Sequence, residues 1–157
     1  MLKKYLQILS ESLDKKYEIL SAIEEKSREQ SEMIENDASF EDIDRNMDEK
    51  AELIEQINRL DEGFQAMYDN IKANLENEKE SCKDDIAAIQ KKITSVMSKS
   101  ASIETIENRN KAAMEKRFSI FHKDSRQRVV QASAVKDYYN VVNKLNAVTP
   151  QFMDSKK

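Results

Sequence analysis

The sequence predicts an all-α fold: an antiparallel bundle, or coiled coil, of three long helices followed by a short C-terminal amphipathic helix. Three observations carry that expectation. Apolar residues recur at alternating spacings of three and four through most of the 157 residues, the repeat of a helix that buries one stripe. One glycine and one proline are too little turn chemistry for a set of hairpins. Charged residues make up 36% of the chain, yet the apolar ones are periodic rather than sparse, which argues against disorder.

The first helix is expected from about Leu2 to Glu35. Leu2, Leu6, Leu9, Leu13, Leu20, Ile23 and Ile34 fall on one heptad stripe, with Ser27 and Gln30 as its polar members. The segment Asn36–Asp37–Ala38–Ser39 breaks it. Ser39 followed by Asp42 resembles a capping box with Asp in place of the preferred Glu. A second helix begins near Phe40, with stripe positions 40, 43, 47, 50, 54, 57, 61, 64, 68, 71 and 75. Lys50 and Asp61 are the polar exceptions, inside a stripe widened by Leu53, Leu60 and Met67.

Residues 76–85 hold nothing apolar but Cys82 and read as a connection, with Ser81 or Asp84 as cap of the next helix. The third helix carries Ile86, Ile89, Ile93, Val96, Ile103, Ile106, Ala113, Met114 and Phe118. Serines thin its stripe between Val96 and Ile103, where a kink or a second break is expected. After residues 122–128, Val130, Ala134, Val135, Tyr138, Val141, Val142 and Leu145 share one helical face, opposite Lys136, Asp137, Asn140 and Lys144. The chain thus divides into a helical body over 1–125, an amphipathic helix over 126–146 and a loose tail over 147–157.

Gly63, the only glycine, sits inside the second helix, where glycine costs about 1 kcal/mol relative to alanine. Two readings stay open: a flank where the missing side chain lets a neighbouring helix approach closely, or a tolerated surface position.

Charge divides along the chain. Residues 1–80 hold 11 basic side chains against 22 acidic, and residues 81–157 hold 15 against 8. An acidic hairpin packing against a basic return segment accounts for this. Cys82 is alone, so no internal disulfide forms, and a cytoplasmic setting is expected. The opening residues lack a continuous apolar run, so neither a signal peptide nor membrane insertion is expected.

Catalytic and cofactor chemistry is not encoded. A di-iron site in a bundle needs Glu-x-x-His pairs, but Ser119 stands three residues before His122, the only histidine. One His and one Cys far apart argue against zinc ligation and Cys–His catalysis. A single glycine builds no phosphate-cradling loop. No enzyme activity, cofactor, metal or small-molecule substrate is expected. One basic stretch interleaves Arg109, Lys111, Lys116, Arg117, Lys123, Arg126 and Arg128 with Phe118 and Phe121, the chemistry of a phosphate contact. The overall acidity speaks against nucleic acid.

Residues 49–71, 107–121 and 135–145, taken in order, resemble the FlgN-like flagellar type III export chaperones. The step Leu60, Asp61, Phe64, Tyr68 and the pair Tyr138–Tyr139 carry most of the likeness. The resemblance implies a small cytoplasmic protein that binds unfolded hook–filament junction subunits, the hook-associated proteins FlgK and FlgL. It would hold their C-terminal segments and deliver them to the flagellar export gate. The family's C-terminal helix, often mobile without a partner, commonly binds the client, which implies that role for Val130, Ala134, Val135, Tyr138, Val141, Val142 and Leu145. Two alternatives stand beside it: a FliT-type chaperone of the filament cap, and a coiled-coil scaffold that self-associates, a homodimer included.

Overall fold

Three helices, α1 (Leu2–Glu35), α2 (Phe40–Asn77) and α3 (Lys83–Ile120), account for nearly all of the described chain. The computed structural model describes residues 1–120; the expected fourth helix and tail lie outside the described residues. At 34, 38 and 38 residues, the helices run about 51 to 57 Å. No strand occurs among the described residues.

Each turn has a local cause. α1 stops because Asp37 takes a left-handed φ of 52°, a conformation that Asp tolerates better than most residues. Asp37 N–H then bonds the Ile34 carbonyl and Ala38 N–H the Met33 carbonyl, the paired bonds of a Schellman end. Two residues later Ser39 caps α2, its hydroxyl accepting from Asp42 N–H at 3.1 Å, as the sequence led us to expect. At the other end, Ser81 does not cap α3; its hydroxyl donates to the Glu78 carbonyl at 3.0 Å. Asp84 and Asp85 lie instead in the first turn of α3, where their charge suits the helix dipole. Cys82 closes this end of the core, 3% exposed.

The polar bonds between helices fix the topology. Lys16 meets Asp61, whereas Lys26 and Gln30, further along α1, meet Glu49 and Lys50, nearer the start of α2, so the two helices are antiparallel. α1 and α3 instead pair at a nearly constant offset: Asp14 with Lys92, Glu24 with Lys99, Ser27 with Glu107, Ser31 with Asn110. They are parallel. α1 packs closely along both neighbours, whereas α2 and α3 approach each other closely almost nowhere. Several of these pairs join acids of α1 to bases of α3, as the charge division of the sequence anticipates.

The stripes are more regular than the sequence suggests. Buried positions on α1 run 2, 6, 9, 13, 16, 20, 23, 27, 30, 34, a strict alternation of three and four, which is the period of a left-handed supercoil. α3 keeps the same alternation through Ile89, Ile93, Val96, Ser100, Ile103 and Glu107. The break expected among its serines does not occur; the helix is continuous through them. Ser95 and Thr94 satisfy their hydroxyls on carbonyls one turn back, Ser102 bonds Glu24 and Ser100 fits inside the core. Serine thins the apolar stripe without interrupting the helix.

Gly63 proves to be a surface residue. It is exposed, and a Cβ built on it meets nothing within 4 Å. The close approach of a neighbouring helix, one of the two readings above, is therefore incorrect. Gly63→Ala is expected to raise stability by up to about 1 kcal/mol, read as a higher denaturation midpoint. A lower midpoint would mean that the groove beside it needs the missing side chain.

Candidate partner-binding surfaces

The end of the bundle that carries the α1–α2 turn also receives the end of α3. Phe118 stacks on Phe40 with ring centroids 5.5 Å apart. The Arg117 guanidinium lies 4.5 Å from the Phe40 ring and donates to the Ala38 carbonyl. These contacts fix the end of α3 against the α1–α2 turn. They also use up part of the basic–aromatic stretch: Arg117 and Phe118 are buried, Lys111 is half-buried, and only Arg109 and Lys116 among its described members are exposed. An even basic face for phosphate contact is not what the described part of this stretch presents.

All seven residues assigned to the C-terminal binding face, Val130 to Leu145, lie outside the described residues. Two of the grooves on the described part run between helices along the bundle. One, of about 260 Å³, runs between α1 and α2 over Gly63, with Ile8, Leu60, Phe64 and Met67 on its walls. The other, of about 640 Å³, lies between α1 and α3 beside Leu13, Tyr17 and Ala88, and is rimmed by Asp14, Glu18, Lys91 and Lys92. Lys92 is committed there, bonded to Ser10 at 2.7 Å and Asp14 at 2.8 Å. Neither groove collects the convergent polar groups of a small-molecule site. No group of three potential metal ligands occurs among the described residues.

The most unusual chemistry is internal. Lys50 is fully buried, with its ammonium donating to Glu107 at 3.0 Å and to the Gln30 side chain. Asn110 donates to Gln30 at 3.2 Å and to the Ser27 carbonyl at 2.9 Å. Ser31 donates to Asn110, and the Ser27 hydroxyl lies against both Glu107 and the Ile23 carbonyl. This polar layer draws on all three helices and divides the core. The larger apolar cluster lies on one side, and Ile34, Ile43, Met47, Met114 and Phe118 on the other. Some 16 Å along α2 from Lys50 (eleven residues), Lys16 and Asp61 form a second buried pair at 2.8 Å.

Burial governs how these groups titrate. It pulls the Lys50 ammonium below its ordinary 10.5, with the Glu107 carboxylate working the other way. It pushes the Asp61 carboxyl above 3.8, and Lys16 only partly offsets that. Glu24, nearer the surface, goes the other way: burial raises it, but bonds from Ser102 and Lys99 outweigh burial and hold it low. Sequence periodicity located Lys50 and Asp61 as stripe exceptions. It missed Lys16 and Glu107, although each falls on a stripe position of its own helix.

The sequence model of the FlgN protein family matches residues 1–127. The chain belongs to the FlgN family. Family membership makes it a flagellar type III export chaperone in kind, in agreement with the resemblance read from the sequence. The matched span includes all of α1, α2 and α3 and stops before Val130, so it does not reach the C-terminal face. No curated protein and no solved structure matches the chain. No helix among the described residues is long and apolar enough to cross a membrane.

Two outcomes follow from the buried charges. Lys50→Met leaves Glu107 buried without its cation and is expected to cost about 3 to 5 kcal/mol. The pair Lys50→Met with Glu107→Leu should come within about 1 kcal/mol of the parent, or exceed it; urea denaturation distinguishes them. For Asp61, the folded protein holds the proton more tightly than the unfolded chain. Its contribution to stability is full below 3.8 and is lost as pH rises through the raised folded value. The melting-temperature difference between Asp61→Asn and the parent should therefore move in the variant's favour as pH rises from 3.8. Movement in the opposite direction would show that pairing with Lys16 outweighs burial.

Proposed function

We propose that this FlgN-family protein works in the cytoplasm as a chaperone for the hook–filament junction proteins FlgK and FlgL. It holds their C-terminal segments and brings them to the type III export gate, with no catalytic step. The family match over residues 1–127 is the observation that carries this reading. It favours a client-binding role over a scaffold whose partner is only itself.

In this reading the client meets the face formed by Val130, Ala134, Val135, Tyr138, Val141, Val142 and Leu145. The bundle supports such a role physically. Three helices tied to one another by buried stripes and buried charge pairs make a firm body, and the aromatic clasp at Phe40 and Phe118 holds the end of α3 to it. An apolar helical face offered to an amphipathic client segment is a helix-in-groove mode, which needs no nucleotide. It keeps an aggregation-prone segment soluble by covering its apolar side.

The test is calorimetric titration of the full chain with purified FlgK and FlgL, beside the variant Tyr138→Asp with Val142→Asp. Burying a large apolar side chain is worth about 1.5 to 3 kcal/mol, so the double variant should bind at least about tenfold more weakly with an unchanged melting temperature. Binding unaltered by the substitutions would move the client site onto the bundle. No binding of either protein by the parent would reject the junction-protein assignment.

A further inference from the structure

The buried charge pairs are a costly way to hold helices together. Replacing such a pair with apolar side chains is often neutral or stabilising, and apolar residues fill most of the other buried positions here. What the pairs supply is position. We propose that the Lys16–Asp61 pair and the Lys50–Glu107 pair, with Gln30, form a register lock: together they admit one axial alignment of α1, α2 and α3.

Heptad stripes alone do not choose an alignment, because sliding one helix by seven residues brings apolar positions back into apposition. The charges break that degeneracy. Sliding α1 by one heptad along α2 sets Lys16 opposite Ile54 or Tyr68, Asp61 opposite Leu9 or Ile23, and Lys50 opposite Ile23 or Asp37. Sliding α3 along α2 sets Lys50 opposite Ser100 or Met114 and Glu107 opposite Ile57 or Ile43. Every such slip separates at least two buried charges from the opposite charge that now neutralises each.

Each pair does a separate part. Lys16 and Asp61 tie α1 to α2 alone, whereas Lys50 reaches Glu107 on α3 and Gln30 on α1 at once. The second link matters most for α3, because α2 and α3 make few close backbone approaches. Eleven residues separate Lys50 from Asp61, which is not a whole number of heptads, so no heptad slip exchanges one pair for the other. One competing arrangement is a second copy of α2 running antiparallel, which sets Lys50 against Asp61 of the copy and Ile54 against Ile57. It strands Lys16 and Glu107.

The test removes both pairs from the full chain, as Lys16→Leu, Asp61→Leu, Lys50→Leu and Glu107→Leu together. Spin labels at exposed positions 25 and 52 report the α1–α2 alignment, and labels at 25 and 105 the α1–α3 alignment, in a Cys82→Ala background. One heptad of slip is about 10 Å. The parent should give one narrow distance for each label pair. The four-leucine variant should melt no lower than the parent, yet show distances broadened or displaced by about 10 Å. Exchanging Lys50→Glu with Glu107→Lys should keep the parent's narrow distances. Narrow, parent-like distances in the leucine variant would overturn the lock, since the shapes of the apolar side chains would then set the register. Melting well below the parent would overturn it too, since the pairs would be supplying stability rather than alignment.

Discussion

Everything in this bundle is arranged around a lysine with no access to water. Lys50 sits where three stripes converge, and a fully buried ammonium is tolerable only when its donors are answered on the spot. Glu107 and Gln30 answer them, Asn110 orients Gln30, and Ser27 and Ser31 complete the surroundings. Six side chains from three helices must be in place together for the charge to be held. The apolar core is accordingly interrupted at this level, with one cluster on each side of the layer. A core that is merely greasy tolerates many near-equivalent packings; a core with this layer does not.

The helices were legible in the sequence because their signals are local. The bounds of α1 and α2 follow from a stripe and a cap, and Asp37, Ser39 and Asp42 sit where a short turn needs them. α3 misled at its serines because polarity was read as a break, although a serine hydroxyl satisfied by a carbonyl one turn back is compatible with a continuous helix. The polar layers were half legible. Lys50 and Asp61 stood out as charged residues on an apolar stripe, while the identity of their partners depends on which residues α1 and α3 bring to the same height. That is a property of register, and no single helix's pattern contains it. Gly63 shows the converse: a residue conspicuous in composition has an unremarkable place on the surface.

The functional site divides in the same way. Family membership rests on residues 1–127, and that span holds the bundle. The face proposed to meet the client was read from periodicity over 130–145, beyond both the family match and the described residues. The body and the binding element thus rest on different kinds of observation. The bundle is held by tertiary contacts that the structure displays; the face is an amphipathic pattern in the sequence, proposed to meet a different molecule.

Cys82 closes the end of the core beside the α2–α3 turn. It is the only sulfhydryl in the chain, so a thiol reagent has a single target, shielded while that end stays packed. Reagent enters only in the moments when that end opens, and the labelling rate then measures how often it does. The protein carries a built-in clock for the breathing of one end, at the opposite pole from the aromatic clasp of Phe40 and Phe118.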